Sequence, residues 1–492
     1  MFDVFLLFVP KIVAIYALLG LFGITSYFFL DHYKKTQWIL YALLVWLPLE
    51  SVVLMHAPPE YYTYIKYVPE MILYGYFFAT WMRFIQKTGT LIPRTPLTPW
   101  ICGSIVLASI TLLIQWYSPV TWLFGMRQIM RFVVIFFILW FGAYTEQHIR
   151  RIVALCFGML LFETGAGLVQ YLAGGRLDAY LFSSAGVQVS SWATLGAIEQ
   201  FWTAGTRIFG TLGRYDRLGS FLAFGLIYLF ACVYYIRSKT QQYWFWALFA
   251  TIAAALLLTY SRASWIAAAV GIGVIGVGVY ADRRLKKVMV VGASIFFLYI
   301  GAVLFFTQSA QHIVESPTMS LSERVLEATS IRAWRESYDG AGRIFFIINT
   351  PRIVIPHAPL FGVGPGRYGG GVASALDNRE VYEKLHLPFG VQNVYGQIDN
   401  NWLSIWGELG TLGLIVYAGM FVALIRMSYA LLKMHTVDQF PKILAAGCVG
   451  SVAAIAVLGC FGPYAEFRTL MCYFWTGAGI VGYYYQKYNA EI

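Results

Sequence analysis

The stretch DNNWLSIWGELGTLG, residues 399–413, joins a long polar segment to an apolar helix. Asp399 and Asn400 stand at the start of that helix, where side-chain oxygens can accept from free backbone N–H groups. Glu408 follows roughly 13 Å along the helix axis, at about 1.5 Å per residue. A carboxylate at that depth in lipid is costly, so it is expected to face protein or water. Glycines at every third position predict a smooth face for close helix contact: Gly407, Gly410 and Gly413.

Composition decides the class of protein around this stretch. Of the 492 residues, 59% are hydrophobic and only 12% are charged, whereas soluble proteins carry about 25% charged residues. Apolar runs of about 20 residues, the length that crosses a bilayer as a helix, recur along the chain. The sequence therefore predicts an all-α, polytopic helical membrane protein. Its net charge of +11 is assigned to loops at the membrane surface and gives no indication of nucleic-acid binding.

The apolar runs predict about thirteen spans, at residues 9–30, 37–56, 67–86, 98–117, 122–144, 149–173, 217–236, 243–260, 263–280, 285–306, 400–425, 441–461 and 467–486. Lysine and arginine concentrate in the odd-numbered connections between them, for example at Lys34, Arg150 and Arg283. Because cytoplasmic loops carry an excess of these residues, the N-terminus is predicted outside and the C-terminus inside.

The same pattern divides the chain into five segments. Residues 1–173 form an N-terminal bundle, 217–306 form central helices and 400–492 form C-terminal helices. Between them lie two long external loops, 174–216 and 307–399. The second loop is predicted to hold a helical stretch, 318–349, and a Gly/Pro-rich stretch, 356–371. Loops this long in a compact protein are usually functional.

Arginines collect near helix ends on the predicted external face. They are Arg127, Arg131, Arg207, Arg214, Arg217, Arg262, Arg332, Arg335 and Arg343. A guanidinium group pairs bidentately with phosphate oxygens and stays charged, so several around one cavity would suit a lipid-linked phosphate or diphosphate. The alternative is that each extends to lipid headgroups or pairs with an acid. The short connection YSRASW keeps Arg262 close to two helix ends and favours function there.

Other polar residues leave two interpretations open. Asp399 could be a helix cap, a general base that accepts a proton from an attacking hydroxyl, or both. Asn400 and Asn401 could cap the helix or bind sugar hydroxyls. The intramembrane acids could act in function or in hydrogen bonds between helices; they are Glu50, Glu70 and Glu163.

No metal or cofactor site is predicted. The six cysteines all lie in apolar segments without metal-ligand spacing. His357 and His386 are isolated in the long loop. The glycine-rich run FGVGPGRYGGG lacks the strand–turn–helix context of a nucleotide-binding loop, and Tyr368 beside it could stack on a sugar ring.

Four stretches together resemble the O-antigen ligase and polymerase superfamily of bacterial envelope glycosyltransferases. Residues 207–223, RIFGTLGRYDRLGSFLA, resemble its R-x-x-G-T/S-F…N-x-x-G segment, with Arg207 matching. Residues 259–271, TYSRASWIAAAVG, resemble its S-R-G/A segment, with Arg262 matching.

The other two stretches lie in and after the long loop. Residues 342–369 resemble the G-R…H-P-L-x-G-V-G segment, with Arg343 and His357 at the usual interval, although Ala358 is inserted before the proline. Residues 399–414 resemble the H-N-x-(9)-G-x-x-G segment, but Asp399 occupies the histidine position. The order and spacing of the four stretches extend the resemblance over about residues 200–420.

The resemblance implies a C-type glycosyltransferase-like fold with a large, partly helical periplasmic loop. Its activity would be inverting, metal-independent transfer of a glycan from undecaprenyl diphosphate to a sugar hydroxyl, at the periplasmic face of the bacterial inner membrane. Arg207, Arg262 and Arg343 would hold the diphosphate and Asp399 would be the base. Further substrate contacts would come from Arg214, Arg217, Asn400, Asn401, His357 and Tyr368. Membrane lipids and a chain-length regulator are expected partners, and no cofactor is expected.

Three functions fit this site. Aspartate in place of the ligases' histidine favours a polymerase of O-antigen or exopolysaccharide. A ligase that joins finished polymer to lipid A-core or another envelope acceptor is the alternative within the superfamily. A transporter or flippase of lipid-linked glycans could use the same arginines, but the sequence shows no repeated halves of the kind common in transporters.

Overall fold

Long apolar helices dominate the computed structural model, which describes residues 37–181, 187–190, 193–195, 205–306 and 331–489. The N-terminal part contains α1 (Gln37–His56), α2 (Tyr62–Thr88), α3 (Thr98–Gln115), α4 (Pro119–Met130), α5 (Val133–Phe141), α6 (Glu146–Leu172) and the short α7 (Asp178–Leu181). A small antiparallel hairpin follows, with β1 (Val187–Ser190) paired to β2 (Ala193–Leu195).

The central and C-terminal parts are also helical. The central helices are α8 (Tyr215–Ala231), α9 (Lys239–Leu258), α10 (Arg262–Gly273) and α11 (Arg283–Phe306). The long loop contains α12 (Ile331–Asp339), α13 (Arg343–Asn349), α14 (Ile355–His357), α15 (Gly371–Ala375) and α16 (Glu380–Lys384). The chain continues through α17 (Asn401–Lys433), α18 (Gln439–Leu458) and α19 (Arg468–Asn489).

Eight helices in the described part are long and apolar enough to cross a membrane, or nine if α4 and α5 form one span. This confirms the prediction of a polytopic helical membrane protein. The predicted spans from 37–56 onward each coincide with a helix or a bent helix pair. The predicted span 9–30 lies outside the described residues.

Burial separates the central helices from the peripheral ones. In the apolar part of α18, 72% of the residues are buried, compared with 22% in α9. Close helix approach around α18 depends on glycine, because a Cβ at Gly450 would meet the side chains of Ile227 and Ile275 at 2.7–2.9 Å. A stack of α8, α10, α17 and α19 around α18 therefore forms the core of the bundle, with α9 at its edge.

The predicted span 122–144 corresponds to two helices rather than one, because α4 and α5 meet at an angle of 63°. Arg131 lies at the bend, and its Nε lies 3.5 Å from Oε2 of Glu70 on α2. Beyond the bend, α5 is entirely apolar and buries residues such as Ile135 and Phe136. The bend thus allows a charged residue to face an acid while the following turns enter the core.

A break in α17 at Gly410 contradicts the predicted smooth glycine face. Gly410 has φ 69° and ψ −173°, a conformation available almost only to glycine. A Cβ there would overlap the backbone of Leu360 and Gly362 in the long loop. The glycine spacing therefore serves a helix break and the close approach of a loop.

The inserted loop satisfies the backbone groups that the break leaves open. The N–H groups of Val363 and Gly364 donate to the carbonyls of Gly407 and Glu408, both at 2.9 Å, and Thr411 N–H donates to Pro359 O at 3.0 Å. Broken helices at membrane depth need such partners, because lipid offers none. The Glu408 carboxylate is buried, as predicted, and accepts from Gly366 N–H at 2.9 Å. The loop and the start of α17 are thereby joined into one unit.

Candidate active site

A cavity of about 1710 Å³ opens among the ends of several helices and beside the loop ahead of α17. Nine cationic side chains line it: Lys66, Arg127, Arg131, Arg207, Arg214, Arg217, Arg262, Arg343 and Arg468. Four carboxylates line it as well: Glu50, Asp216, Asp399 and Glu466. The cavity wall therefore carries an excess of positive charge and is suited to an anionic ligand.

Seven of the ten site residues expected from the sequence line this cavity. They are Arg207, Arg214, Arg217, Arg262, Arg343, Asp399 and Asn400. They come from segments more than 190 residues apart in the chain. The tertiary structure therefore gathers most of the expected polar groups around one space.

The first group of arginines lies at the start of α8. The Arg207 guanidinium lies 4.3 Å from the centre of the Tyr215 ring. Arg214 pairs with Asp216 at 3.0 Å, and Arg217 lies 5.6 Å from the centre of the Phe467 ring. The aromatic contacts hold two of these guanidinium groups without neutralising them.

The loop before α8 is held by polar side chains of α6. Gln170 Oε1 accepts from the N–H groups of Phe209 at 2.9 Å and Gly210 at 3.0 Å. The Glu163 carboxylate accepts from Thr211 N–H at 3.1 Å. Glu163, an intramembrane acid whose role the sequence left open, thus anchors the loop that carries Arg207 and Arg214.

Arg262 begins α10, immediately after the short connection from α9. Ser261 occupies the N-cap position of α10 in extended conformation, and its hydroxyl bonds the Ser264 hydroxyl at 2.8 Å rather than a backbone N–H group. Tyr260 has a positive φ of 53°, which turns the chain sharply between the two helices. The exposed Arg262 side chain lines the cavity from this turn.

Asp399 and Arg343 form an ion pair at the cavity wall, with 3.2 Å between Nη2 of Arg343 and Oδ2 of Asp399. The Arg343 side chain is 42% exposed and the Asp399 side chain is 43% exposed. The capping role expected of Asp399 belongs instead to Asn400, whose Oδ1 accepts from Leu403 N–H at 3.0 Å. The Asp399 carboxylate is therefore not used as a cap and faces the cavity.

Three expected substrate contacts do not line the cavity. Tyr368 is fully buried, and its hydroxyl bonds the Thr350 hydroxyl at 2.6 Å. Asn401 is buried at the first turn of α17. His357 is exposed at the end of α14, away from the lining residues. All three lie close to motif residues in the chain, but Tyr368 and Asn401 are buried and His357 is exposed, and none of them is part of the cavity lining.

Sequence reasoning missed two cationic residues that line the cavity, Lys66 of α2 and Arg468 of α19. Arg468 pairs with Glu50 at 2.9 Å and lies 3.5 Å from Glu70. Arg127 donates to the same Glu70 carboxylate through two nitrogens, at 2.6 and 2.7 Å. Each of these charges stands near a helix end, where a sequence alone suggests only contact with headgroups.

Sequence reasoning also missed Glu466, the acid in the turn between α18 and α19. Its carboxylate accepts from Gly371 N–H at 3.1 Å and from Gln397 Nε2 at 3.2 Å. Burial raises the pKa of Glu466 to about 7, although Arg131 opposes the shift. Gln397 precedes Asp399 by two residues, and Glu466 and Asp399 line the same cavity.

Within the described residues, no group of three or more His, Cys, Asp or Glu side chains has the arrangement of a metal site. The groups available to contact a ligand in this cavity are therefore mainly guanidinium and carboxylate groups.

A family model described as O-antigen ligase matches residues 247–418. The matched segment includes Arg262, Arg343, Asp399 and the break at Gly410, and it ends before Glu466. No curated protein is significantly similar to the chain. Together with the helical bundle, the match over residues 247–418 supports the resemblance of this multi-pass membrane protein to the O-antigen ligase and polymerase superfamily.

Proposed function

We propose that this protein is a polysaccharide polymerase that transfers a growing glycan from undecaprenyl diphosphate to a sugar hydroxyl of a second lipid-linked unit. The observation that carries the proposal is the ion pair of Arg343 and Asp399 in a cavity whose lining includes eight arginines. It combines a carboxylate able to accept a proton with cations able to hold a departing diphosphate.

The leaving group would be stabilised by guanidinium groups. Arg207, Arg262 and Arg343 line the cavity from three separate segments. When the anomeric C–O bond breaks, its electron pair goes to the diphosphate oxygen, and fixed cations stabilise that developing charge. In this proposal the guanidinium groups do the work of a divalent metal ion, so the reaction is metal-independent.

The acceptor would be activated by Asp399. The acceptor hydroxyl oxygen attacks the anomeric carbon and its proton passes to a carboxylate oxygen of Asp399, as in general-base catalysis. A single displacement of this kind inverts the anomeric configuration. Because Arg343 contacts the same carboxylate, it would link the leaving-group site to the base.

The positions of the charges support a periplasmic active site in the inner membrane. Arg262 and Asp399 lie at helix ends that the positive-inside rule assigns to the outside. Basic residues of the predicted cytoplasmic connections, such as Arg284 and Arg426, do not line the cavity.

The test uses purified protein with lipid-linked repeat units as the only substrate. A polymerase produces a ladder of chain lengths, whereas a ligase produces none until another acceptor is added. Arg262→Ala should abolish the ladder while the protein still inserts into membranes. An unchanged ladder in that variant would refute the arginine mechanism, and transport without product would favour a flippase.

A further inference from the structure

The cavity lining contains a second group of cations that the mechanism above does not use. This group consists of Lys66, Arg127, Arg131 and Arg468. The three arginines lie beside Glu70, and Arg468 and Lys66 interact with Glu50. We refer to these four cations as the inner cationic site. We propose that this site binds a phosphate-bearing group of the acceptor substrate, an inference that rests on the proposed function.

The inner cationic site holds more positive charge than the neighbouring carboxylates balance. Four cations face Glu50 and Glu70, with Glu466 also near Arg131. The side chains of Arg127, Arg131 and Arg468 are only 20%, 14% and 13% exposed. Like charges at low exposure repel one another strongly because water screens them little. A bound anion would relieve this repulsion.

Some guanidinium N–H groups of this site also have no hydrogen-bond acceptor. Glu70 already accepts two bonds from Arg127 and contacts Arg131 and Arg468 at 3.5 Å. Among the described residues, Nε of Arg131 and Nε of Arg468 have no hydrogen-bond acceptor. Phosphate oxygens are good partners for such guanidinium groups, since they accept several charge-assisted bonds at once.

The two groups of cations belong to different parts of the fold. The inner cationic site is built on α2, α4 and α19 and on the bend before α5, whereas Arg207, Arg262 and Arg343 come from α10, α13 and the loop before α8. The cavity volume of about 1710 Å³ exceeds the roughly 300–1,000 Å³ of typical single-ligand pockets. The space is therefore sufficient for two polar groups.

A polymerase needs such a second site. Its acceptor is a repeat unit whose own diphosphate lies at the other end from the attacking hydroxyl. With the hydroxyl at Asp399, that diphosphate requires a separate cationic contact. A phosphorylated acceptor without a lipid would present the same chemistry, so the experiment must compare the two sources.

The first experiment counts bound farnesyl diphosphate on the full-length protein by native mass spectrometry and calorimetry. We expect two equivalents on the wild type, one on Arg131→Gln and one on Arg262→Gln. Arg131 is chosen because Glu70 keeps both bonds from Arg127 in its absence. Arg131→Lys, which keeps the charge, should restore the second equivalent and show that loss of binding is not misfolding.

The control variant is Arg426→Gln, an exposed arginine outside the cavity, which should still bind two equivalents. A single equivalent on the wild type would overturn the proposal. So would two equivalents on folded Arg131→Gln. Because this measurement needs no turnover, it tests the site even if the polymerase activity itself is absent.

The second experiment measures transfer to three acceptors of the same sugar sequence: one linked to polyprenyl diphosphate, one soluble and phosphorylated, and one soluble and phosphate-free. Arg131→Gln should lower kcat/KM about tenfold or more for phosphate-bearing acceptors, and the loss for the phosphate-free acceptor should be several-fold smaller. A loss confined to the lipid-linked acceptor identifies the lipid diphosphate as the ligand. An equal loss with all three would overturn the proposal.

Discussion

Arg343 Nη2 lies 3.2 Å from Asp399 Oδ2, although 56 residues separate the two in the chain. Arg343 is the first residue of α13, and Asp399 immediately precedes Asn400, which caps α17. The pair therefore connects the long loop to the entrance of the broken helix. It also places a cation that can hold a diphosphate beside a carboxylate that can accept a proton.

The Asp399 carboxylate is expected to be needed for proton transfer. Asp399→Asn should lower the initial rate of glycan transfer by at least about a hundredfold, because general-base catalysis commonly contributes that much. Asp377→Asn is a matched control, since Asp377 also pairs with an arginine, Arg379, at 2.9 Å, but lies outside the cavity. An Asp399→Asn variant with the wild-type rate would exclude Asp399 as the base.

The break at Gly410 is expected to be sensitive to any side chain. Gly410→Ala should lower the unfolding free energy by about 1–3 kcal/mol from backbone strain, and overlap with Leu360 and Gly362 adds to that cost. Thermal unfolding in detergent measures the effect. Gly158→Ala in α6 is the control, because a Cβ there meets nothing within 4 Å. Equal melting temperatures for the two variants would contradict the role of the break.

Gln170 is expected to position the arginine loop. Gln170→Leu removes the acceptor of two buried N–H groups, those of Phe209 and Gly210, at about 1–3 kcal/mol for each unsatisfied group. We expect lower thermal stability and slower transfer, measured where the variant is fully folded, because Arg207 is displaced. The exposed Gln147 of the same helix provides the control variant, Gln147→Ala. A folded Gln170→Leu variant with full activity would show that the loop holds its shape without this anchor.

The Glu466 carboxyl group is expected to make stability depend on pH. Its pKa rises from 4.5 to about 7 in the folded protein, chiefly because burial disfavours the anion. The rise is opposed by a hydrogen bond from the Gly371 backbone N–H, by the charge of Arg131 and by hydrogen bonds from the Gln128 and Gln397 side chains. A raised carboxyl pKa means that the folded state binds the proton more tightly. Its contribution to stability is therefore full below about pH 4.5 and is lost as the pH rises to about 7.

Melting temperatures of wild type and Glu466→Gln between pH 4.5 and 8 test this dependence. The difference between the two proteins should change steadily up to about pH 7 and then level off. Glu383→Gln serves as the control because Glu383 is exposed on α16. A constant difference between wild type and Glu466→Gln would show that Glu466 does not titrate in this range.

Much of the fold could be predicted from the sequence. Apolar runs of about 20 residues define membrane helices independently of their neighbours, because every backbone polar group must be satisfied within the segment. The predicted spans from 37–56 onward accordingly coincide with helices. Arg262 and Asp399 were recognisable because they stand at helix ends inside motif stretches.

Two of the departures from prediction involve partners distant in the chain. The break at Gly410 depends on a loop that begins about 50 residues earlier and supplies its hydrogen bonds. The inner cationic site depends on Glu70 and on Arg468, which lie almost 400 residues apart. The choice of Asn400 rather than Asp399 as the cap depends on backbone geometry that two adjacent polar residues do not reveal.

The sequence by itself thus determined the class of protein, the helices and the presence of arginines near their ends, since these follow from local hydrophobicity and charge. Only the tertiary structure decided which charges share a cavity, which residue caps the helix after Asp399 and where a helix must break. These properties depend on distances between segments, and local composition does not specify those distances.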